Sequence, residues 1–396
     1  MAALTQYLVL AQIPASMLPP VVFYISGHGF GHASRAIEVL HVLGEREPDL
    51  RVIVRTSAAR SLFERTLRRP VDFHHIECDT GIVQIDDSLQ LDARASVRRA
   101  DEFHRALDAR AAREAAFLRN QRAAVVVGDF PPLAFASAAA AGLPSVGISN
   151  FTWDWIYAAY PDEIRSAPDL VPAIRRAYAS ATVVLRLPLW GGFEGLERIT
   201  RDIPFVARHS HRDPAEVRAR FGLPADRPLV LMSFGGYGLA DVETEPLAAM
   251  TGYTIVATDA PLAADSSVRW MSAVNRAGGS LVHLGDRRIS EAGCRYEDLV
   301  RAADVVVTKP GYGIVAEAIA NDTAILYTSR GCFAEYDVMV REMPRFARCR
   351  FIDRADLLAG RWREHLDRLL AQPPPPEAAS TDGARHAAEE IRRFLR

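Results

Sequence analysis

Two glycine-rich turns, one in each half of the chain, hold side chains that could do chemistry. The first turn, residues 27–32, carries His28 and His32, and a histidine there can take a proton from a hydroxyl group at neutral pH. The second turn begins with Lys309, the only lysine among 47 basic residues. A lysine kept in so arginine-rich a chain predicts an anion site that fits a compact ammonium, and chance retention on a solvated loop is the alternative.

The first turn needs a strand before it and a helix after it. Residues 21–26 predict the strand and residues 32–43 the helix, so the turn lies at a helix N-terminus, where negative charge is favoured. Its glycines let the backbone approach a ligand. The spacing differs from that of a dinucleotide-binding turn, and an acidic ribose partner is missing. A histidine that only caps the helix is the alternative, and two histidines in one turn favour function.

A histidine base is normally oriented by a third group, usually a carboxylate. Asp129 is the candidate, because it follows a buried apolar run at residues 123–127. In a parallel sheet this position lies at the carboxyl edge, on the same side as the first turn. The alternative role for Asp129 is an N-cap of the next helix.

The second turn, residues 309–313, has the sequence of a phosphate site, with a strand before it and a helix after it whose amides point at the anion. Glu317 lies one helical turn further on and would repel phosphate unless it reached a ribose hydroxyl. This combination predicts a nucleoside diphosphate, with Lys309 on phosphate and Glu317 on sugar.

Short β-branched runs alternate with helical stretches along the chain, which is typical of parallel sheets covered on both faces. The pattern predicts an α/β protein with two Rossmann-like domains that face each other across a cleft. A length of 396 residues agrees, since single cores stop growing at roughly 250–300 residues. We expect a loose extension at 1–20, a first domain at 21–205, a second domain at 206–372, and at 373–396 a proline-rich break and a helix that packs on the first domain.

The individual elements follow the same alternation. After the first strand, strands are predicted at 51–55, 71–76, 123–127, 145–149 and 182–187, the last closing the first set, and then at 229–233, 253–257, 280–283, 304–308, 324–328 and 350–352. Helices are predicted at 313–320, up to Leu370, and at 384–395. Residues 93–122 predict one long helix with a solvated, mixed-charge face.

Composition narrows the classes of function. A hydrophobic content of 49% and a charged content of 24% are ordinary for a globular enzyme, and a net charge of −2 gives no support to nucleic-acid binding. Four scattered cysteines form neither a zinc pattern nor a disulfide framework, which favours a reducing cytoplasm. No apolar run reaches the roughly 20 residues of a membrane span, and residues 1–20 make a poor signal peptide.

The second turn resembles that of the GT-B superfamily of nucleotide-sugar glycosyltransferases, whose plant members carry His-Cys-Gly-Trp-Asn-Ser-x-x-Glu followed by Asp-Gln. Lys309 takes the place of the pyrophosphate histidine, and Gly311 and Glu317 match the glycine and the ribose-binding glutamate. Tyr312 replaces the tryptophan. The later pair corresponds to residues 335–336, where Tyr336 for glutamine leaves the donor sugar open.

The resemblance extends to the first half and to a more specific group. His32 falls where the family's general base lies, and Asp129 falls at its aspartate partner. The chain is most similar to the glycosyltransferase-like amino-terminal module of plant L-arabinokinase and its bacterial relatives, through residues 27–32, Arg35 and the Asn-Phe-Thr-Trp-Asp-Trp-Ile-Tyr segment at 150–157. The similarity covers residues 21–345, and without a kinase phosphate loop we expect the module to stand alone.

The resemblance implies a GT-B fold and an inverting, metal-independent transfer from a nucleoside diphosphate sugar, with UDP as the expected nucleotide, to a small-molecule hydroxyl. It implies no other cofactor and a monomer or homodimer. Catalysis is assigned to His32 and Asp129, donor binding to Ser233, Gly235, Gly236, Lys309, Gly311, Tyr312, Gly313, Glu317, Glu335 and Tyr336, and acceptor binding to His28, Phe30, Arg35, Trp153 and Trp155. A nucleotide-sugar epimerase of the same fold and a non-catalytic sugar-nucleotide-binding module are the alternatives.

Overall fold

The computed structural model describes residues 18–85, 90–234, 242–258 and 280–395. Within them, two parallel sheets form the centre of the molecule. The first has the order β3-β2-β1-β6-β7-β8-β9 and the second the order β12-β11-β10-β13-β14-β15. The strands are β1 Val21–Ile25, β2 Val52–Thr56, β3 Asp72–His75, β4 Val83–Ile85, β5 Gln90–Asp92, β6 Val125–Asp129, β7 Ser145–Phe151, β8 Val183–Gly191, β9 Thr200–Asp202, β10 Leu229–Ser233, β11 Thr254–Ala257, β12 Leu281–His283, β13 Val305–Thr308, β14 Ala324–Tyr327 and β15 Cys349–Phe351.

Helices cover both faces of each sheet. Those before residue 200 are α1 Phe30–Arg46, α2 Arg60–Thr66, α3 Ala93–Arg105, α4 Leu107–Gln121, α5 Pro132–Ala141, α6 Trp153–Ala158, α7 Pro161–Ile164 and α8 Leu170–Ala179. The later ones are α9 Pro214–Phe221, α10 Thr244–Ala248, α11 Asp286–Glu291, α12 Tyr296–Ala302, α13 Tyr312–Ala320, α14 Ala334–Glu342, the 3-10 helix Met343–Arg345, α15 Arg354–Leu358, α16 Arg363–Leu370 and α17 Gly383–Arg392.

The central strands are apolar throughout because both of their faces are covered. All five residues of β1 and all four of β13 are buried, as is expected of parallel sheets between helices. In both sheets the strand order reverses beside the first strand, at β1 next to β6 and at β10 next to β13. Ligands of open α/β sheets bind outside the carboxyl ends of the strands at such points. Both glycine turns follow strands at these points.

The predicted α/β class with two parallel sheets is confirmed, and three details are wrong. The short polar strand β9 lies outside β8 at the sheet edge. β4 and β5 form an unpredicted antiparallel pair. The predicted long helix is two helices that meet at Ala106. Its charged face is also less solvated than expected, because Glu114 accepts hydrogen bonds from Tyr24 at 2.7 Å and Arg55 at 2.7 Å.

The last helix returns to the first sheet. α17 lies on α1, where Arg392 forms an ion pair of 2.6 Å with Glu47. The chain crosses between the two sheets twice, and the two crossing segments pair with each other: Val206 and Asp382 form an antiparallel bridge, and the Gly383 amide donates to the Phe205 carbonyl at 3.0 Å. Among the described helices, none is long and apolar enough to cross a membrane.

Candidate active site at the two glycine turns

The two glycine turns contact each other. A Cβ atom added to Gly313 would lie 3.1 Å from Cα of Gly31, so the backbones at the start of α1 and α13 approach as closely as glycine allows. Gly29, before α1, has φ 76° and ψ 176°, a combination that essentially only glycine adopts. The sequence therefore places glycine where the two halves of the molecule meet and where the turn bends.

His32 and Asp129 form the predicted pair. Asp129 ends β6 and is paired in register with Ile25, the last residue of β1, while His32 lies in the first turn of α1. Nδ1 of His32 lies 2.8 Å from Oδ1 of Asp129, and both side chains are buried. An ionised carboxylate can only accept, so Nδ1 carries the proton and Nε2 keeps its lone pair. Nη2 of Arg35, which can only donate, also lies 3.0 Å from Nδ1, but it donates to Oδ1 of Asp129 at 2.5 Å, so the contact with the carboxylate decides the tautomer. This is the tautomer that a general base requires.

Arg35 binds the same aspartate. Its Nε donates to Oδ2 of Asp129 at 2.6 Å and its Nη2 to Oδ1 at 2.5 Å. Burial alone would raise the pKa of Asp129, but the Arg35 charge and the hydrogen bonds from Arg35 and His32 outweigh burial and lower that pKa. Asp129 is therefore ionised at neutral pH. Arg35, predicted to bind the acceptor, is fully occupied by the dyad and its neighbours.

A chain of hydrogen bonds connects this dyad to the second half of the molecule. Nη1 of Arg35 donates to Asn150 at 2.8 Å, and the Asn150 amide donates to Oε1 of Glu335 at 2.8 Å. The other oxygen of Glu335 accepts from Arg330 at 2.7 Å. Arg330 also donates to the carbonyl of Pro310, in the second turn, at 3.3 Å. The predicted base and the predicted donor-binding glutamate thus belong to one network of hydrogen bonds.

The residues of the second turn have varied surroundings. Lys309 is partly buried beside His28, whose pKa it helps to lower. Ser233 ends β10 opposite Thr308, and its hydroxyl accepts from Tyr296 at 2.5 Å, which leaves its own proton for another acceptor. Gly311 precedes α13 as its N-cap. Gly235 and Gly236 lie outside the described residues.

Two predicted donor residues, Glu317 and Tyr312, already have hydrogen-bond partners. Glu317 is buried and accepts from Arg208 at 2.7 Å; burial raises its pKa, against the opposing Arg208 charge. The Tyr312 hydroxyl accepts from the Val206 amide at 3.3 Å. Tyr336 is partly buried in the α14 helix. Their predicted donor contacts stay predictions.

Comparison with known proteins gives the fold its name. A glycosyltransferase of kitacinnamycin superposes over 96% of this chain and 100% of its own with a TM-score of 0.59 at 17% identity. UGT2 of Phytolacca americana, solved with UDP-2-fluoroglucose and pterostilbene, covers 95% of this chain and 94% of its own with a TM-score of 0.56 at 12% identity. The fold is GT-B.

The GT-B chain also has a sequence relative. L-arabinokinase of Arabidopsis thaliana is 31% identical over an alignment of 380 residues that covers 93% of this chain. The chain spans about a third (34%) of the length of that relative. No family model matches the chain.

The aromatic residues predicted to bind the acceptor divide into two groups in this GT-B fold. Phe30 is 48% exposed at the first turn. Trp153 is buried, and its ring stacks on His32 with centroids 6.3 Å apart. Trp155 packs over the backbone of Gly191. A Cβ atom added to Gly191 would lie 2.4 Å from the Trp155 ring, so no larger residue fits at this position. The structure thus brings Phe30 and Trp153 to the turn and gives Trp155 a packing role.

Sequence reasoning missed Asp79, which lies in the loop after β3. It is buried, Ser26 donates to its Oδ1 at 3.0 Å, and its Oδ2 has no hydrogen-bond partner. Burial raises its pKa to about 6, although His32 and the hydrogen bond from Ser26 pull the value down. A buried carboxyl with a raised pKa beside a base is typical of a functional site. No motif surrounds Asp79, so only its position in the fold could have identified it.

The sequence also does not indicate that Arg330 and Asn150 belong to the site. Asn150 occurs in the segment at 150–157 that carries the family resemblance, and Arg330 is one of many arginines. Within the described ranges, no group of three or more His, Cys, Asp or Glu side chains is arranged to hold a metal ion.

Proposed function

We propose that the chain is an inverting, metal-independent glycosyltransferase that moves a sugar from a UDP-sugar to a hydroxyl group of a small molecule. The observation that carries the proposal is the His32–Asp129 pair at 2.8 Å, located where the first glycine turn contacts the second. A base on one side and a lysine turn on the other are the two parts that such a transfer needs.

His32 is the general base of the proposed reaction. Its Nε2 takes the proton of the acceptor hydroxyl while the hydroxyl oxygen forms a bond to the anomeric carbon. The bond from that carbon to the diphosphate breaks on the opposite face, and its electron pair leaves on the phosphate oxygen. Asp129 keeps His32 in the required tautomer and stabilises the imidazolium that forms.

The second turn supplies positive charge for the leaving diphosphate. Lys309, the amides that begin α13 and Ser233 lie at the carboxyl ends of neighbouring strands, the end of the sheet where phosphate binds in such folds. Arg330 contacts the same turn, because it donates a hydrogen bond to the Pro310 carbonyl. These groups can stabilise the charge of the leaving phosphate directly, which is why we propose a reaction without a metal ion.

The proposed substrates follow from the neighbours of the fold and from the turn itself. UGT2 of Phytolacca americana was solved with a UDP-sugar analogue and the aromatic compound pterostilbene. Phe30 offers an exposed apolar ring beside the base. A UDP-sugar donor and an acceptor with an apolar or planar part agree with both observations.

One experiment tests the base and the donor site separately. UDP-, dTDP- and GDP-sugars are screened by thermal shift, and the stabilising donor is then incubated with a panel of hydroxylated acceptors. His32→Ala should lower transfer by about 10²- to 10⁴-fold, because a positioned base contributes that much, and should leave the donor Kd by calorimetry unchanged. Unchanged turnover in this variant contradicts the base assignment. A product with retained anomeric configuration contradicts inversion.

A second candidate function is a sugar-nucleotide-binding module without transferase activity. It is favoured by one observation: Glu317 and Glu335, the residues expected to hold ribose and sugar, are occupied by Arg208 and by Asn150 and Arg330. Donor binding without turnover on any acceptor, together with an unchanged donor Kd in His32→Ala, supports this alternative.

A further inference from the structure

The two histidines of the first turn carry their protons on different ring nitrogens. Nδ1 of His28 lies 3.4 Å from the backbone amide of Ile82, which donates to it. A backbone N–H can only donate, so Nδ1 of His28 holds a lone pair and the proton is on Nε2. Nδ1 of His32 faces the Asp129 carboxylate and is protonated instead. His32 therefore offers a lone pair at Nε2, and His28 offers an N–H.

The His28 ring is held in this orientation by its packing. A Cβ atom added to Gly81 would lie 2.6 Å from the ring, and Gly81 has a φ of +58°, so the loop comes close only because residue 81 lacks a side chain. Trp153 contacts the ring edge-on with centroids 5.9 Å apart. The His28 backbone amide donates to Ser26 at 3.3 Å. The ring therefore has little freedom to flip.

Burial and nearby cations keep His28 neutral. Burial is the largest cause of the fall of its pKa to about 3, and His32, Arg330 and Lys309 contribute in the same direction. His28 is therefore a neutral imidazole at every pH at which the protein would work. A neutral imidazole with its proton fixed on Nε2 can donate a hydrogen bond without giving up the proton.

We propose that His28 is a second functional residue of the first turn, which donates a hydrogen bond from Nε2 to an anionic oxygen of the diphosphate that leaves. The anion is indicated by the neighbours, since Lys309 and Arg330 act electrostatically on His28 and the first glycine turn touches the second between Gly31 and Gly313. His28 keeps its proton throughout, and the proton of the acceptor hydroxyl goes to His32. The inference rests on the proposed function, because it assigns the ligand of the same site.

The tautomer is tested without any ligand or turnover. Nitrogen-15 NMR of the histidine rings, with His28 assigned from the signal lost in His28→Gln, should show a proton on Nε2 and no titration from about pH 5 to 9. A proton on Nδ1, or a titration in that range, overturns the inference. This result does not depend on whether the protein is a transferase.

The hydrogen bond is tested by a matched pair of variants. His28→Ala should weaken UDP binding and lower kcat with the best donor by about 10- to 100-fold, as expected for a lost hydrogen bond to a charged group. His28→Gln, whose side-chain amide can donate, should restore most of both, and the acidic limb of the pH–rate profile should be the same as in the wild type.

The possible results separate the two proposals. If no acceptor supports transfer but UDP binding still falls in His28→Ala and recovers in His28→Gln, the transferase proposal fails and the assignment of His28 stands. If His28→Gln is as impaired as His28→Ala in UDP affinity, with the same thermal stability as wild type, the hydrogen-bond assignment is wrong. If the acidic limb disappears in His28→Ala, His28 is a base and the inference is also wrong.

Discussion

The carboxyl edges of the two sheets are built in different ways. At the first edge, His32, Asp129 and Arg35 hold each other in an arrangement that leaves the reactive nitrogen of His32 unengaged by these partners. At the second edge, Glu317 is bound to Arg208, and Glu335 is bound to Asn150 and Arg330. The proposed base is thus preorganised, whereas two of the expected donor contacts must be exchanged before a donor can use them. We therefore expect donor binding, rather than proton removal, to require rearrangement.

We expect the greatest loss of stability from a substitution at the carboxyl edge of the first sheet. Arg35→Met leaves the Asp129 carboxylate buried without its cation, which should lower the free energy of unfolding by about 3–5 kcal/mol. Urea unfolding at pH 7 measures the change. Arg60→Met is the control, because its ion pair with Glu64 is exposed and should contribute less than about 1 kcal/mol.

The pH dependence of the Arg35→Met effect has a definite sign. The folded-state pKa of Asp129 is lowered, so its ionisation contributes stability above the unfolded pKa, and that stability is lost as the pH falls through the folded value. In the variant, burial without the Arg35 charge raises the pKa of Asp129 instead. The difference between wild type and variant should therefore begin to shrink as the pH falls through that raised value, and should continue to shrink as the pH falls through the lowered wild-type value. A difference of less than 1 kcal/mol at pH 7 would mean that Arg35 does not hold the edge together.

Asp79, at the same edge, is a buried carboxyl that destabilises the folded state at neutral pH. Replacing it should change the free energy of unfolding by less than Arg35→Met does, and in the opposite direction. A carboxyl with pKa raised from 3.8 to about 6 makes the folded state less stable at neutral pH, by about 3 kcal/mol at 1.4 kcal/mol per pKa unit. Asp79→Asn should therefore be more stable than wild type at pH 7, and the gain should vanish near pH 4. Thermal and urea unfolding across this range measure it. A variant that is less stable at pH 7 contradicts the raised pKa.

UDP affinity tests which residues at the carboxyl edge of the second sheet contact the donor. Lys309→Arg should weaken UDP binding by about 10-fold, because a bulkier guanidinium replaces the ammonium at a hydrogen bond to phosphate. Glu317→Gln should change UDP affinity by less than about 3-fold, because Arg208 already occupies the carboxylate. Calorimetry with UDP compares the two variants. The reverse order would show that Glu317 leaves Arg208 to bind ribose.

The variant Asn150→Ala tests whether Glu335 must be released from its protein partners before the donor sugar can bind. Asn150→Ala removes one of its two partners, so a sugar hydroxyl should compete more easily and UDP-sugar should bind about 2- to 5-fold more tightly. UDP without a sugar is the control ligand, and its affinity should not change. Weaker binding of UDP-sugar, with UDP unchanged, would mean that Asn150 itself contacts the sugar.

Much of the fold and the first edge could be predicted from the sequence. Apolar runs and glycine turns report local structure, and the carboxyl ends of adjacent parallel strands meet at one edge, which brought His32 and Asp129 together. The partner of Glu317 could not be predicted, because Arg208 is 109 residues away and one of many arginines. Asp79 escaped notice because a buried carboxyl in a loop has no sequence signature. Strand β9 was missed because a short, polar edge strand lacks an apolar pattern.

The paired crossing segments have a mechanical consequence. A single linker between two domains permits rotation about any axis, whereas two adjacent linkers restrict rotation to one axis and so form a hinge. Val206 and Asp382 form a β-bridge between the two crossing segments. The Phe205 amide also donates to the Ser380 carbonyl at 3.1 Å, which holds the two segments together. Any motion of one sheet relative to the other would then be a rotation about that line, and twisting would be resisted. The proposed base and the lysine turn, on opposite sides of such a hinge, would return to the same register after each rotation.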